Sequence, residues 1–120
     1  MKNVAILGAS DDPSRYSYRA FCDLQSYGHK VFPVSPKMKE IEGVEVYPEL
    51  KDLQCPIDTL TLYVGPALSS KLKDQIVALQ PKRVIFNPGS ENPEVARALA
   101  EAKIEFVEAC TLVMLRLGQF

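Results

Sequence analysis

The sequence lacks a strong net charge. It holds 14 lysines and arginines against 15 aspartates and glutamates, so the formal net charge of its 120 residues is -1. A chain this close to neutral produces no field that would attract nucleic acid or an anionic membrane surface. We therefore expect neither of these as a partner.

Long hydrophobic runs are missing as well. No apolar segment approaches the roughly 18 residues that cross a bilayer. The apolar run at 4–7 is too short for the core of a signal peptide, and Asp11 and Asp12 follow it closely. We therefore expect a cytoplasmic protein. Its length and its 47% apolar residues suit one core, and so a single domain over residues 1–120.

Cysteine is scarce and unevenly spaced. The three cysteines, Cys22, Cys55 and Cys110, are odd in number and form no CxxC pair. In a cytoplasmic chain this pattern predicts reduced thiols and excludes a disulfide framework or a cysteine zinc site.

Short apolar runs alternate with helical periodicity along the whole chain. Strands are predicted at 4–7, 31–34, 44–46, 59–64, 84–86 and 105–107. Asp12-Pro13 and Asn92-Pro93 are helix starts, Gly28 is a helix stop, and 112–117 is a final helical turn or two. The buried helix stripes are predicted to be Ser17, Ala20, Phe21 and Leu24; Leu68, Leu72, Ile76 and Leu79; and Val95, Ala98, Leu99 and Ala102.

This alternation predicts βαβ units with right-handed crossovers. The fold class is therefore α/β, with a doubly wound, Rossmann-like parallel sheet in a three-layer α/β/α sandwich. Ligands of such folds bind outside the carboxyl ends of the strands, at the switch point in strand order. Candidate binding residues should therefore lie in the loops at 8–10, 34–37, 63–66, 87–90 and 108–110.

The loop after the first strand can hold a phosphate. Gly8 allows a tight turn, and free N–H groups at the start of the next helix would then face the anion. Arg15 can add positive charge, whereas Asp11 and Asp12 would repel a phosphate unless they turn away. The full GxGxxG fingerprint is absent, so a plain strand-to-helix turn is the alternative interpretation.

The end of the second strand argues against NAD. NAD-binding domains usually place an acidic residue there to hold the ribose hydroxyls. This chain has Ser35-Pro36-Lys37 instead. A lysine suits an extra phosphate, such as the 3′-phosphate of coenzyme A (CoA) or the 2′-phosphate of NADP, and the alternative is an ordinary solvated lysine.

Four segments together carry a family resemblance. Gly-Ala-Ser at 8–10 is followed by the stretches 12–18 (DPSRYSY), 31–36 (VFPVSP) and 43–50 (GVEVYPEL). In this order and spacing the sequence resembles the CoA-binding domain family, stand-alone relatives of the N-terminal domain of the succinyl-CoA synthetase α subunit. The resemblance extends over essentially the whole chain. It implies CoA lying across the carboxyl edge of a Rossmann-like sheet.

The resemblance also implies binding residues. Positions 8–10 would meet the phosphates, 34–37 would form the nucleotide-side wall, and 63–66 would contact adenine or pantetheine. The loop after the fifth strand departs from the family's usual Gln-small-Gly pattern, because it contains Asn87-Pro88-Gly89. The expected cofactor-binding residues are Gly8, Ala9, Ser10, Arg15, Tyr16, Ser17, Val34, Ser35, Pro36, Lys37, Tyr63, Val64, Pro66, Asn87 and Gly89.

No catalytic constellation accompanies these residues. His29, the single histidine, is interpreted as a solvated turn residue on the amino edge of the sheet, far from any nucleophile at the opposite edge. Cys110 could form a mixed disulfide with the ligand thiol or accept an acyl group, but a small packing residue is the favoured interpretation. We predict no catalytic residue and no metal site.

The sequence therefore predicts non-catalytic binding of CoA or an acyl-CoA. The alternatives are an NADP-dependent reductase, or a small subunit of an acyl-CoA ligase that needs a partner chain, since no second domain with a phosphorylated histidine is present. The apolar tail at 112–117 could pair two copies into a homodimer or cover the core.

Overall fold

Strands and helices alternate through the whole chain, which a computed structural model describes over residues 1–120. In chain order the elements are β1 (Asn3–Leu7), α1 (Tyr16–Ser26), β2 (Lys30–Val34), β3 (Glu40–Ile41), β4 (Val44–Glu45), a 3₁₀ turn (Leu50–Asp52), β5 (Thr59–Leu62), α2 (Pro66–Lys71), α3 (Lys73–Leu79), β6 (Arg83–Phe86), α4 (Pro93–Glu101), β7 (Glu105–Glu108) and α5 (Thr111–Arg116).

Five parallel strands form the main sheet in the order β2-β1-β5-β6-β7. The chain winds outward from β1 in both directions, so the switch point lies between β1 and β5. Helices cover both faces, with α1 and α5 on one and α3 and α4 on the other. The prediction of a doubly wound, three-layer α/β/α sandwich is confirmed.

The two faces of the sheet bury separate apolar clusters. Ile76, Val95 and Leu99 pack on one face, and Phe21, Leu24 and Leu115 pack on the other. Each of these side chains is at most 4% exposed, and burying such a side chain contributes about 1.5–3 kcal/mol relative to leaving it in water. The interior strand β1 contributes side chains to both clusters, which explains its uninterrupted apolar sequence.

Helix α1 begins later than the sequence predicts. The carboxylate of Asp12 accepts hydrogen bonds from the Ser14 amide (2.9 Å) and the Ser14 hydroxyl (2.8 Å) and closes a local turn. The helix starts only at Tyr16, with Arg15 at the N-cap, so the predicted start at Asp12-Pro13 is wrong. Short polar side chains compete with helix formation in this way. The predicted buried stripe of α1 is confirmed.

The predicted third strand at 44–46 is not part of the main sheet. Residues 44–45 form β4, which pairs only with β3 in a separate antiparallel hairpin. Glu42 (φ 50°) and Gly43 (φ 80°) supply the two left-handed residues of its tight turn. Beside β2 lies Tyr47 instead, whose N–H donates to the Pro33 carbonyl at 2.9 Å. Pro33 is tolerated because β2 is an edge strand of the main sheet.

The single helix that was predicted to carry Leu68, Leu72, Ile76 and Leu79 is two helices. Leu72 (φ -99°, ψ 7°) separates α2 from α3. The predicted stripe is only partly buried: Ile76 is fully covered, whereas Leu68 is 47% exposed. The strand before them ends at Leu62 rather than at residue 64.

Asn87 ties together three elements at the carboxyl edge of the sheet. Its Nδ2 donates to Thr61 Oγ1 at 2.6 Å and to the Leu62 carbonyl at 2.9 Å, and its Oδ1 accepts from the Thr111 amide at 2.9 Å. The hydroxyls of Thr61 and Thr111 also bond to each other at 2.8 Å. All these contacts are buried, so they fix the ends of β5 and β6 and the start of α5 relative to one another.

A second asparagine joins the neighbouring helices. Asn92 Oδ1 accepts from the Glu94 amide at 3.0 Å, as predicted for the N-cap of α4. Its Nδ2 donates to the Pro66 carbonyl at 3.0 Å and the Ser69 hydroxyl at 2.7 Å. The start of α2 is therefore anchored to the start of α4.

His29 lies at the amino edge of the sheet, as expected, but it is more than a solvated turn residue. Its ring is partly buried against Phe120, with a centroid separation of 5.1 Å, and its Nδ1 accepts from the Lys2 amide at 3.1 Å. Burial, followed by the nearby positive charges that include Lys2 and Arg83, lowers the pKa of His29. The folded protein therefore favours the neutral ring.

Asn87→Ala is expected to lower the free energy of unfolding by about 3 kcal/mol, because three buried hydrogen bonds are lost and the Thr111 amide keeps no partner. Urea unfolding measures this value. Asn3→Ala, which removes one exposed hydrogen bond to the Pro56 carbonyl, is the matched control and should cost less than about 1 kcal/mol. Equal costs for the two variants would contradict the assigned role of Asn87.

Acidification should destabilise the protein through His29. Its pKa is lower in the folded than in the unfolded chain, so its contribution is full above the ordinary value of 6.5 and is lost as the pH falls through the folded pKa. Urea unfolding between about pH 7 and pH 5 should show this loss in the natural protein and a smaller loss in His29→Gln, which retains an acceptor. Parallel losses in both proteins would contradict the prediction.

Candidate functional site

The loops after β1, β2, β5 and β6 meet around one cleft of about 890 Å³ at the carboxyl edge of the sheet. Its position at the switch point is where a doubly wound sheet binds ligands, and its volume suits a nucleotide-sized molecule. Thirteen of the fifteen residues that we expected from the sequence line it: Gly8, Ala9, Ser10, Arg15, Tyr16, Ser17, Val34, Ser35, Pro36, Lys37, Tyr63, Val64 and Gly89.

Gly8 is fixed by close packing as well as by its backbone conformation. Its φ of +91° lies in the left-handed region. A Cβ atom there would lie 2.8 Å from Val64 Cγ1 and 3.0 Å from the Tyr63 carbonyl carbon and oxygen. Only glycine lets the loop after β1 approach the loop after β5 so closely.

The loop after β1, which lines the cleft, contains free backbone donors. The amides of Gly8 and Ala9 both donate to the Val34 carbonyl, at 3.1 and 3.2 Å, and thereby hold this loop against β2. The next two amides, of Ser10 and Asp11, have no protein acceptor. We had expected the donors for an anion in the first turn of α1. Because α1 begins only at Tyr16, these donors belong to the loop instead. Successive free N–H groups of this kind suit a phosphate.

Positive charge in the cleft comes from Arg15 and Lys37, both exposed and without a carboxylate partner. Asp12 also lines the cleft, but its carboxylate faces Ser14, whose backbone and hydroxyl hydrogen bonds lower the pKa of Asp12. Glu49 is engaged by Lys51, at 3.5 Å. The exposed Asp11 lines the cleft as well, but none of these carboxylates forms an ion pair with Arg15 or Lys37, so both cations are available to an anionic ligand.

Part of the cleft lining, called the apolar end below, consists mainly of leucines. Leu50, Leu68 and Leu72 line it, together with Gln75 from the middle of α3. Prediction from strand ends missed these residues, because they come from the 3₁₀ turn and from α2 and α3. Because the helix breaks at Leu72, Leu68 lines the cleft and is not part of a buried stripe. The local sequence contains no signal that predicts this break.

Tyr63 gives the cleft a neutral polar group. Burial raises the pKa of Tyr63 to about 12, although the nearby hydroxyls of Thr111 and Thr61 act in the opposite direction. The phenol is therefore protonated at physiological pH. Its ring is half-buried beneath the cleft, where it packs against the cluster below α1 and α5.

Two expected site residues lie outside the lining. Asn87 is 1% exposed, and its amide is occupied by the network beneath the cleft. Pro66 occupies the first position of α2 and is exposed. A ligand contact from either residue stays a prediction.

The Cys110 thiol and the His29 imidazole do not line the cleft. Cys110 is partly buried at the N-cap of α5 and does not line the cleft. His29 is at the opposite edge of the sheet. No group of three or more histidine, cysteine or acidic side chains is arranged to hold a metal ion.

The helices of this fold are short. None has the length and apolar character that crossing a membrane requires.

The sequence and the fold both have recognisable relatives. A family model described as "CoA binding domain" matches residues 2–116. Over 64 residues the chain is 34% identical to the alpha subunit of acetate–CoA ligase [ADP-forming] II from Pyrococcus furiosus, a match that covers 52% of this chain and 14% of that subunit. It is also 34% identical over 62 residues to the uncharacterized protein YneT of Bacillus subtilis, covering 52% of this chain and 46% of YneT. The chain thus matches less than half the length of each curated relative.

Solved structures agree over the full length. The crystal structure of an uncharacterized protein superposes with a TM-score of 0.94 at 44% identity and covers 100% of this chain and 98% of its own. A protein from Thermus thermophilus superposes with a TM-score of 0.91 at 33% identity, covering 99% and 90% of the two chains. With the cleft at the switch point and the family match over 2–116, the chain belongs to the CoA-binding domain family.

Proposed function

We propose that the protein binds CoA or an acyl-CoA in the cleft at the carboxyl edge of the sheet and catalyses no reaction by itself. The observation that carries this proposal is the division of the cleft lining into a charged part and an apolar part. The charged part has two free backbone amides and two cations outside any salt bridge, with the exposed Asp11 beside them, and the apolar part is lined by leucines. CoA has the same division, with phosphates in one part and an adenine and a pantetheine arm in others.

The residues present fit the phosphates of CoA. The amides of Ser10 and Asp11 can donate to a phosphate oxygen, and Arg15 and Lys37 can neutralise its charge. Lys37, just after β2, is placed where nucleotide-binding sheets distinguish ribose substituents, and its positive charge suits a ribose phosphate. The leucine end can take the base or the pantetheine arm, because burying either removes apolar surface from water.

Membership of a larger ligase is a second candidate function. It is favoured by the match to a protein named as an acetate–CoA ligase alpha subunit, of which the chain matches only 14%. In that role this cleft would hold CoA while a separate chain supplies the reacting groups. An NADP-dependent reductase is less well supported, because the family model that matches residues 2–116 is described as a CoA binding domain.

Isothermal titration with CoA tests the proposed function. We expect micromolar binding, weakened about tenfold by Lys37→Ala, because a charge-assisted hydrogen bond to phosphate is lost. Lys82→Ala is the matched control, since Lys82 is an exposed lysine at the amino edge, paired with Asp58 at 3.4 Å. It should leave CoA affinity unchanged. Binding of NADP with no binding of CoA would contradict the proposal and favour a reductase.

Gly8→Ala should abolish CoA binding and destabilise the fold. The new Cβ would clash with Val64 and the Tyr63 carbonyl, in addition to the cost of a left-handed φ for alanine. Gly43→Ala separates these effects, because Gly43 has a similar φ of +80° but no atom within 4 Å of the added Cβ. We expect Gly43→Ala to cost about 1 kcal/mol in urea unfolding and to bind CoA normally. If Gly8→Ala binds CoA like the natural protein, the packing of these two loops does not shape the site.

A further inference from the structure

One buried polar atom is left without a partner in this protein. Oε1 of Gln75 is shielded from solvent and makes no hydrogen bond, and it is the one buried side-chain oxygen or nitrogen in this condition. Native proteins rarely leave such a group unsatisfied, because it has lost its water without gaining a replacement. This oxygen can therefore accept a hydrogen bond from a donor outside the chain.

The amide orientation of Gln75 is set by its other end. Nε2 donates to Glu49 Oε1 at 3.2 Å, across the gap between α3 and the 3₁₀ turn. The reversed orientation would place the amide oxygen against a carboxylate, so the carbonyl must be the unsatisfied end. Gln75 therefore offers an acceptor.

Gln75 also occupies a boundary between two cavities. It lines the apolar end of the ligand cleft together with Leu68 and Leu72, and it lines a neighbouring cavity of about 550 Å³ behind Leu50. Among leucines, a single amide carbonyl is the kind of isolated polar group that orients a ligand in an otherwise apolar pocket.

We propose that Gln75 is a specificity-determining residue that accepts a hydrogen bond from an N–H group of the bound ligand. The inference rests on the proposed function and adds the chemistry by which the apolar end of the cleft recognises CoA. The terminal torsion of a glutamine is soft, so a small rotation can bring Oε1 to an entering donor while Nε2 keeps its bond to Glu49.

CoA carries such donors in two places, the exocyclic amine of adenine and the amides of pantetheine. Both present the same N–H chemistry to Gln75, and they can be separated by the use of ligand fragments. Adenosine 3′,5′-bisphosphate carries the base without the arm, and 4′-phosphopantetheine carries the arm without the base.

Gln75→Met tests the proposal, because methionine keeps the approximate length of the side chain and removes its polar atoms. Titration should show CoA affinity about tenfold lower than in the natural protein. Thermal unfolding without ligand should show a Tm equal to or above that of the natural protein, because an unsatisfied buried oxygen has been removed. A merely structural glutamine would instead give a lower Tm. Gln54→Met, in the neighbouring cavity but outside the cleft, is the control and should leave CoA affinity unchanged.

Competition with the two fragments identifies the donor. If the adenine amine is the donor, Gln75→Met lowers the affinity for adenosine 3′,5′-bisphosphate and leaves the affinity for 4′-phosphopantetheine unchanged. Replacing the adenosine of the ligand by inosine then lowers the affinity of the natural protein but not that of Gln75→Met. If a pantetheine amide is the donor, the effects on the fragments are reversed. The inosine comparison needs no variant, so it tests the adenine contact even if Gln75→Met fails to fold.

The proposal is overturned if Gln75→Met binds CoA within twofold of the natural protein, or if it weakens both fragments equally while lowering the Tm. Absence of CoA binding by the natural protein would overturn the proposed function itself. Binding by the natural protein with no effect at Gln75 would overturn this inference alone.

Discussion

The close approach of two loops at the switch point determines the shape of the candidate site. The chain leaves β1 at Gly8 and passes within van der Waals contact of Tyr63 and Val64, which follow β5. The same turn is held on its other side by the Val34 carbonyl at the end of β2. Three neighbouring strand ends are thus fixed against one another by one residue without a side chain. The free amides of Ser10 and Asp11 have a defined position because of this packing.

The buried asparagines extend this constraint across the sheet. Asn87 fixes the ends of β5 and β6 and the start of α5, and Asn92 fixes the start of α2 to that of α4. Neither side chain is among the residues that line the cleft. Their hydrogen bonds instead hold the surrounding loops in place, because a site assembled from loops needs rigid supporting residues. The charged part of the cleft lining follows β1 and β2, and the apolar end comes from the 3₁₀ turn, α2 and α3.

Much of this architecture follows from local sequence pattern. Short runs of apolar and β-forming residues mark the strands of the main sheet. The strand-end rule then located ten of the thirteen expected residues that line the cleft, and the family resemblance added Arg15, Tyr16 and Ser17. Failures occurred where a side chain or a turn competes with the regular pattern. Asp12 forms a local turn and delays α1, Glu42 and Gly43 divert 44–45 into a hairpin, and Leu72 interrupts a helix.

The apolar end of the cleft could not be predicted in this way. Leu68 follows the helical spacing of its neighbours, and only the break at Leu72 decides that it lines a cleft rather than a core. The unsatisfied carbonyl of Gln75 could not be predicted from the sequence either, because it is a property of the packed structure and not of a residue type. Such residues depend on how helices pack at the ends of a sheet, which sequence periodicity does not encode.

The most direct test of a CoA site at this edge of the sheet is to follow backbone amide NMR signals during titration with CoA. Saturation should shift the amides of Ser10 and Asp11 most strongly, with further shifts at 34–37 and 63–65, and leave the amino edge around His29 unchanged. Shifts confined to the cavity at 51–56, or no shifts at CoA concentrations well above micromolar, would contradict the account.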